Sequence, residues 1–272
     1  MTRRINKDTK LCMSLSGRPG NFGTRFHNFL YEELGLDFVY KAFSSTDLAG
    51  AITGIRALGI RGCAVSMPFK EACIQYLDEL DETARAIQSV NTVVNDGGHL
   101  KAYNTDYIAV ASLLRSRGVA PSTSFALRGS GGMAKAVASA MRDAGFHEGT
   151  IVARNESTGR ALAQSCGFAF ASEMGSLRPK LLINVTPIGM RGGAEADALA
   201  FEREVIAHAE TVFDVVAVPP ETPLVRAARE QGKDVITGAE VIVLQAVEQF
   251  ALYTGVRPNA EQIGRAAAFA LG

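Results

Sequence analysis

The chain has 272 residues, 47% of them hydrophobic, which is more length than a single core usually serves, so two domains are expected. Lysine plus arginine number 28 and aspartate plus glutamate number 28, so there is no charge field to attract a nucleic acid or a membrane surface. No apolar run reaches membrane-spanning length, which excludes a helical membrane protein.

The opening "MTRRINKDTK" is charged and lacks the apolar stretch of a signal peptide, so a cytoplasmic protein is expected. "KLCMSLSG" reads as a strand ending at Gly17, and "GTRFHNFLYEELG" as a helix with Phe26, Phe29, Leu30 and Leu34 at helical spacing. "DFVYKAFS" reads as a strand, "DLAGAITGIRALG" as a helix and "GCAVSM" as a short buried strand. This alternation predicts an α/β domain on a largely parallel sheet. "NTDYIAVASLLRSRG" follows as a helix, with Thr105 or Asp106 as its cap. A second strand-helix-strand series starts at "STSFALRGSGG", and Val241 to Phe250 opens a closing helical segment. The cysteines, Cys12, Cys63, Cys73 and Cys166, lie far apart without metal-ligand spacing and read as reduced interior thiols; no metal is expected.

The sharpest motif is "FALRGSGGMAKAVASAMRDAG". A strand from Ser124 to Leu127 runs into Gly129, Ser130, Gly131 and Gly132, then into a helix carried by Ala134, Val137 and Met141. Gly129, Gly131 and Ala134 fit the G-x-G-x-x-G/A dinucleotide pattern. The first glycine allows the turn, the second lets backbone approach a pyrophosphate, and the small third residue lets helix and strand pack closely. The helix N-terminus, from Gly132 and Met133, attracts the anion. The second strand of the series, "GTIVARN", ends in Arg154 and Asn155, where NAD enzymes usually carry an acid for the ribose hydroxyl. A guanidinium matches a phosphate, so NADP is favoured over NAD, although a solvated loop arginine beside Glu156 is the simpler alternative.

Four further pieces complete a pattern: "VSMPFK" (Val65 to Lys70), "SVNTVV" (Ser89 to Val94), "YNTDY" (Tyr103 to Tyr107) and "INVTPIGM" (Ile183 to Met190). With the glycine turn, "ETPL" and "VLQAVEQF", they stand in the order of the shikimate dehydrogenase family, which the chain resembles over nearly its whole length. It is most similar to the divergent shikimate dehydrogenase-like branch. The resemblance implies two α/β domains around a cleft: a substrate-binding catalytic domain of residues 1–104, on which helices of 239–272 pack, and a Rossmann-like NADP-binding domain of residues 105–238. It also implies an NADP-dependent dehydrogenase of aromatic amino acid biosynthesis, acting on shikimate or a related cyclic hydroxy acid such as quinate, as a monomer or homodimer.

The same resemblance assigns roles. Lys70 of "PFK" and Asp106 of "NTD" are the catalytic pair; on their own they would read as an ordinary ion pair or as no pair at all. Ser66, Asn91 and Gln245 contact substrate; the amides suit a polyol because they both donate and accept. Asn184 and Thr186 lie near the nicotinamide, and Gly238 lets it approach.

The chain also departs from the family. The serine pair of S-x-S-P-x-x-H-N, aligned on His27 and Asn28, becomes Asn21 and Gly23, with Thr24 in place of the proline. A tyrosine expected at Ala217 is missing. Asn21 and Thr24 are therefore candidate substrate residues, and Arg18 or Arg25 is a candidate replacement for carboxylate binding. Two other readings compete with the first: the same chemistry on a different hydroxy acid, and a weakly catalytic dinucleotide-binding sensor.

Overall fold

The computed structural model describes residues 5–272; the first four residues of the charged opening segment lie outside them. The chain forms two compact units. One runs to Thr105 and resumes from Val243 to Gly272, and the other is Asp106–Ile242.

In the first unit, β1 (Lys10–Leu15), α1 (Phe22–Glu33), β2 (Phe38–Phe43), α2 (Leu48–Ala57) and β3 (Gly62–Val65) alternate as the sequence predicts. A short helix α3 (Phe69–Ala72) follows, then β4 (Glu79–Leu80), α4 (Glu82–Ile87), β5 (Thr92–Asp96) and β6 (His99–Tyr103). The six strands lie in the order β2-β1-β3-β5-β6-β4. β1 pairs in parallel with β2 and β3, whereas β5 is antiparallel to both β3 and β6. The hairpin between β5 and β6 turns on Gly97 and Gly98, with φ of +61° and +94°. Two positive φ values in succession are what a tight hairpin turn demands and what glycine supplies without strain.

The second unit begins within α5 (Thr105–Ser116) and continues through β7 (Phe125–Arg128), α6 (Gly132–Asp143), β8 (Gly149–Val152), α7 (Glu156–Cys166), β9 (Ala169–Ala171), β10 (Leu181–Asn184), α8 (Arg203–His208), β11 (Thr211–Asp214), α9 (Pro223–Glu230) and β12 (Asp234–Thr237). Its sheet is parallel throughout, in the order β12-β11-β10-β7-β8-β9. Counted from β7, that is the Rossmann order 3-2-1-4-5-6 reversed left to right, and the strand order reverses between β7 and β10. The strand predicted to end at Leu127 takes in Arg128 as well, because that residue stays in register with Val152 and Asn184.

Helix α10 (Gly238–Thr254) starts in the second unit and ends in the first, and α11 (Ala260–Leu271) closes the chain. In the first unit's sheet, alternate residues serve two cores. Met13, Leu15, Val65 and Val93 pack with Ile52 and Ile55 of α2, while Cys12, Tyr40 and Val94 pack with Phe26 of α1, Phe250 of α10 and Ala266 of α11. The cysteines are buried and unpaired. No helix of the described residues is long and apolar enough to cross a membrane.

Candidate functional site

The glycine turn after β7 has a physical reason at each small residue. Gly129 has φ +128°, and a Cβ there would lie 2.8 Å from Val185 Cγ2 and 3.2 Å from Thr186 Cγ2. Gly131 caps α6 and faces open space, so backbone N–H groups at the helix start stay accessible to an anion. Ala134 is fully buried under the helix. Met133, half-buried, and Gly132 form the first turn of α6. Ser130 Oγ lies 2.8 Å from Thr158 Oγ1, tying the turn to α7. Asn155 is the N-cap of α7, its side-chain oxygen accepting from the Thr158 amide at 3.1 Å. A pocket of about 230 Å³ opens beside Gly129, Ser130, Arg154, Asn155 and Thr186. Arg154 is exposed there, 3.5 Å from Glu195 Oε2. The residues fit a dinucleotide: a glycine-rich turn, a helix N-terminus and a guanidinium just beyond the second strand.

Two of the predicted cofactor residues also have structural reasons for their identity. Asn184 has no exposed surface, and its bonding capacity is filled. Its Nδ2 donates to Ile188 O (3.2 Å) and Asp214 Oδ1 (3.0 Å), while its Oδ1 accepts from the Thr186 amide and hydroxyl. It holds Thr186 in place. Asp214 also accepts from Thr222 Oγ1 at 2.6 Å, and burial pushes its carboxyl up to about 6 despite these donors. Gly238 is a glycine because a Cβ would sit 2.4 Å from the Val216 carbonyl, which is reason enough without a nicotinamide.

In the first unit, backbone bonds gather Ser66, Lys70 and Asn91 at one end of the central strands. Ser66 N–H donates to Leu15 O, Gly17 N–H to Met67 O, Val65 N–H to Asn91 O and Val90 N–H to Lys70 O, all at 2.8–2.9 Å. The carboxyl ends of β1 and β3, the start of β5 and α3 therefore meet. Ser66 is exposed, Lys70 is half-buried on α3, and Asn91 is 2% exposed. Asn91 Oδ1 accepts from the Thr105 amide (2.7 Å) and from the hydroxyls of Thr92 and Thr105. Asp106, buried in the first turn of α5, is the first residue of the second unit.

In the first unit the buried atoms Ser16 Oγ, Ser89 Oγ and Asn91 Nδ2, on segments flanking these ends, and Thr24 Oγ1 on α1 have no hydrogen-bond partner. Unmet buried groups are costly and rare, and a polar ligand would satisfy such a set. Gln245, on α10, is half-buried. Sequence reading missed Gln249, one turn further on, whose Nε2 donates to Asn91 O (3.3 Å) and Thr92 Oγ1 (3.1 Å). The signal was available: two glutamines at i and i+4 in an apolar helix. Asn21 is exposed at the start of α1, and its side chain makes no cap bond.

At one of the two positions of the family's serine pair the space is tight here. A Cβ on Gly23 would meet Tyr40 Oη at 3.3 Å and the ring at 3.4–3.5 Å. Arg25 is committed elsewhere, its guanidinium 4.8 Å from the Phe269 ring centre. Arg18 is exposed just beyond the Gly17–Met67 contact, with no ion pair among the described residues.

The family model described as "Shikimate dehydrogenase substrate binding domain" matches residues 22–93, which include Ser66, Lys70 and Asn91. Over 266 residues, 98% of each chain, the protein is 57% identical to a shikimate dehydrogenase-like protein of Haemophilus influenzae. It is 33% identical over 277 residues to the shikimate dehydrogenase (NADP(+)) of Chlorobium chlorochromatii, covering 95% of this chain and 96% of the relative. The structure of shikimate 5-dehydrogenase from Thermus thermophilus, in complex with NADP(H) and shikimate, matches 96% of this chain and 100% of its own with a TM-score of 0.86 at 29% identity. At this identity and coverage, the chain belongs to the shikimate dehydrogenase family.

Proposed function

We propose that the protein is an NADP-dependent oxidoreductase that interconverts a cyclic hydroxy acid, shikimate or a related compound such as quinate, and its keto form. In this reading residues 1–104 with 239–272 bind the substrate, and residues 105–238 bind the dinucleotide. The observation that carries it is Asn91: its oxygen is consumed by the Thr105 amide, while its buried Nδ2 is left without a partner beside Lys70's helix. Such a donor suits a substrate hydroxyl or carboxylate.

Bound NADP supplies a hydride acceptor or donor. The chain's own residues do the rest. Asn91, Ser66 and Gln245 orient the ring hydroxyls, and the orphaned hydroxyls of Ser16 and Thr24 add donors nearby. Lys70 takes the proton of the reacting hydroxyl in one direction and returns it in the other. Asp106 supplies the carboxylate that balances the lysine's charge as it changes. Arg18 replaces the missing serine pair as carboxylate ligand, a charge-assisted contact in place of neutral ones.

A spectrophotometric screen of NADP and NAD reduction against cyclic hydroxy acids tests the proposal. Turnover with at least one carboxylated cyclic alcohol and NADP is expected. No turnover with any of them, while NADP binds, would favour the sensor reading instead.

A further inference from the structure

The pocket beside the glycine turn holds a second guanidinium that the dinucleotide motif does not predict. Arg128 is the last residue of β7, paired in the ladder with Val152 of β8 and Asn184 of β10, so it stands at the point where the strand order reverses. It lines the same pocket of about 230 Å³ as Arg154, with Ser130, Asn155 and Ser172 around them. Neutral groups fix its side chain: Nη1 donates to the Ala200 carbonyl, and the guanidinium lies 5.9 Å from the Phe201 ring centre. Its charge is therefore positioned without being cancelled.

The acids nearby do not balance the pair. Glu195 lies 3.5 Å from Arg154, with side chains 42% and 78% exposed, a contact worth little in water. Glu202 is exposed. Burial, and then the neighbouring Arg154, lower the pKa of Arg128. Two cations facing one half-enclosed pocket raise each other's cost unless an anion joins them. The pocket lies at the ends of β7 and β8, and Asn155 at its rim caps α7, whose N-terminus adds favourable field for an anion.

We propose that Arg128 is a second ligand for the 2′-phosphate of the dinucleotide and acts with Arg154 to select NADP over NAD. This rests on the cofactor reading above. A phosphomonoester dianion takes two guanidiniums readily, each in fork geometry, and the hydroxyls of Ser130 and Ser172 complete the donor set. Arg128 is the more rigid arm, held from two sides; exposed Arg154 closes over the phosphate.

The test is calorimetric binding of 2′-AMP, 5′-AMP and inorganic phosphate to the full chain and to Arg128→Gln and Arg154→Gln, which needs no turnover. The wild type is expected to bind 2′-AMP more tightly than 5′-AMP or phosphate. Each variant is expected to lose about tenfold or more for 2′-AMP, as for a charge-assisted hydrogen bond, with 5′-AMP unchanged. If Arg128→Gln fails to fold, Arg128→Met, which keeps the stem over Phe201, is read the same way. Unchanged 2′-AMP affinity in the Arg128 variant, or equal loss for 2′-AMP and 5′-AMP, overturns the assignment. If Arg154→Gln alone loses the preference, the NADP reading stands and Arg128 drops out. A wild type that does not distinguish 2′-AMP from 5′-AMP overturns both.

Discussion

Asn91 Oδ1 accepts a hydrogen bond from the Thr105 amide at 2.7 Å, so the first residue before β5 fixes the start of the helix that carries Asp106. The other end of the same amide, Nδ2, is buried without a partner. One side chain thus has a structural end and an unmet donor end. Asn91→Ala should lower stability by about 1–3 kcal/mol, because the Thr105 amide loses its acceptor in a buried site. Asn91→Asp keeps acceptors and removes the donor, so KM for the cyclic hydroxy acid should rise about tenfold or more. Denaturant midpoints and KM values from the two variants separate the roles. A wild-type KM in Asn91→Asp would remove Nδ2 from the substrate site.

Lys70→Ala should lower kcat by about 10²–10⁴, the usual worth of a positioned proton-transfer group, and leave the dissociation constant for NADP unchanged. The glycine turn belongs to the other unit. Lys70→Arg should not restore turnover, because a guanidinium keeps the charge without giving up its proton. Recovery in Lys70→Arg would mean that the lysine acts as a fixed charge, not as a proton carrier.

How much of this was legible in the sequence depended on whether the cause was local. The glycine turn could be read because strand, glycines and helix follow one another within a few residues, although the close approach of Val185 to Gly129 is tertiary. The β5–β6 hairpin announced itself as "NDGGH" between alternating residues, yet it was passed over, and with it the pairing that sets Asn91 N–H on Tyr103 O. Asn184 and Gly238 also have tertiary reasons for their identity that no local pattern shows. Nothing local says that Asp214, thirty residues away, will take one of Asn184's amide hydrogens, or that Val216 will press on position 238. The sequence ends the strand at Leu127, one residue short of Arg128. Its ladder partners on both sides make it strand.

Restoring the family's serine pair should fail at one of its two positions. Asn21 is exposed, and Asn21→Ser should be tolerated. Gly23→Ser pushes a Cβ against Tyr40, whose ring stacks on His27 with centroids 4.5 Å apart and whose backbone is bonded at both N–H and C=O by the Asn28 side chain. The ring cannot yield freely, so a loss of about 1–3 kcal/mol is expected, typical of overpacking. Thermal melts of the single variants check it; a Gly23→Ser protein as stable as the parent would mean that Tyr40 moves aside.

Arg18→Ala should raise KM for a carboxylated substrate by about tenfold or more, with a smaller effect on kcat, because binding shared by ground and transition states acts on KM. The methyl ester of the same substrate, lacking the anion, should be turned over equally by parent and variant. An equal change for acid and ester would show that Arg18 shapes the loop and does not read the carboxylate.

Acid should act oppositely on the two units. His27, in the first, is fully buried among Tyr40, Tyr31 and Phe250, and that burial lowers its pKa from 6.5 to about 3, the adjacent Gln249 opposing only slightly. As pH falls below 6.5 the unfolded chain takes up a proton that the folded state refuses, so the stability His27 contributes is complete above 6.5 and is lost progressively toward 3. Asp214, in the second unit, runs the other way. Burial raises it from 3.8 to about 6, so between those values the folded state holds a proton the unfolded state has released, and stability falls as pH rises through that window. From pH 7 to 5, the first unit should lose about 2 kcal/mol through His27, and the second should gain about 1 kcal/mol through Asp214. Amide hydrogen exchange at the two pH values, corrected for intrinsic rates, reads each unit separately. His27→Phe should flatten the pH slope of the first unit alone, and Asp214→Asn that of the second. Slopes that survive these changes would assign the pH dependence to other groups.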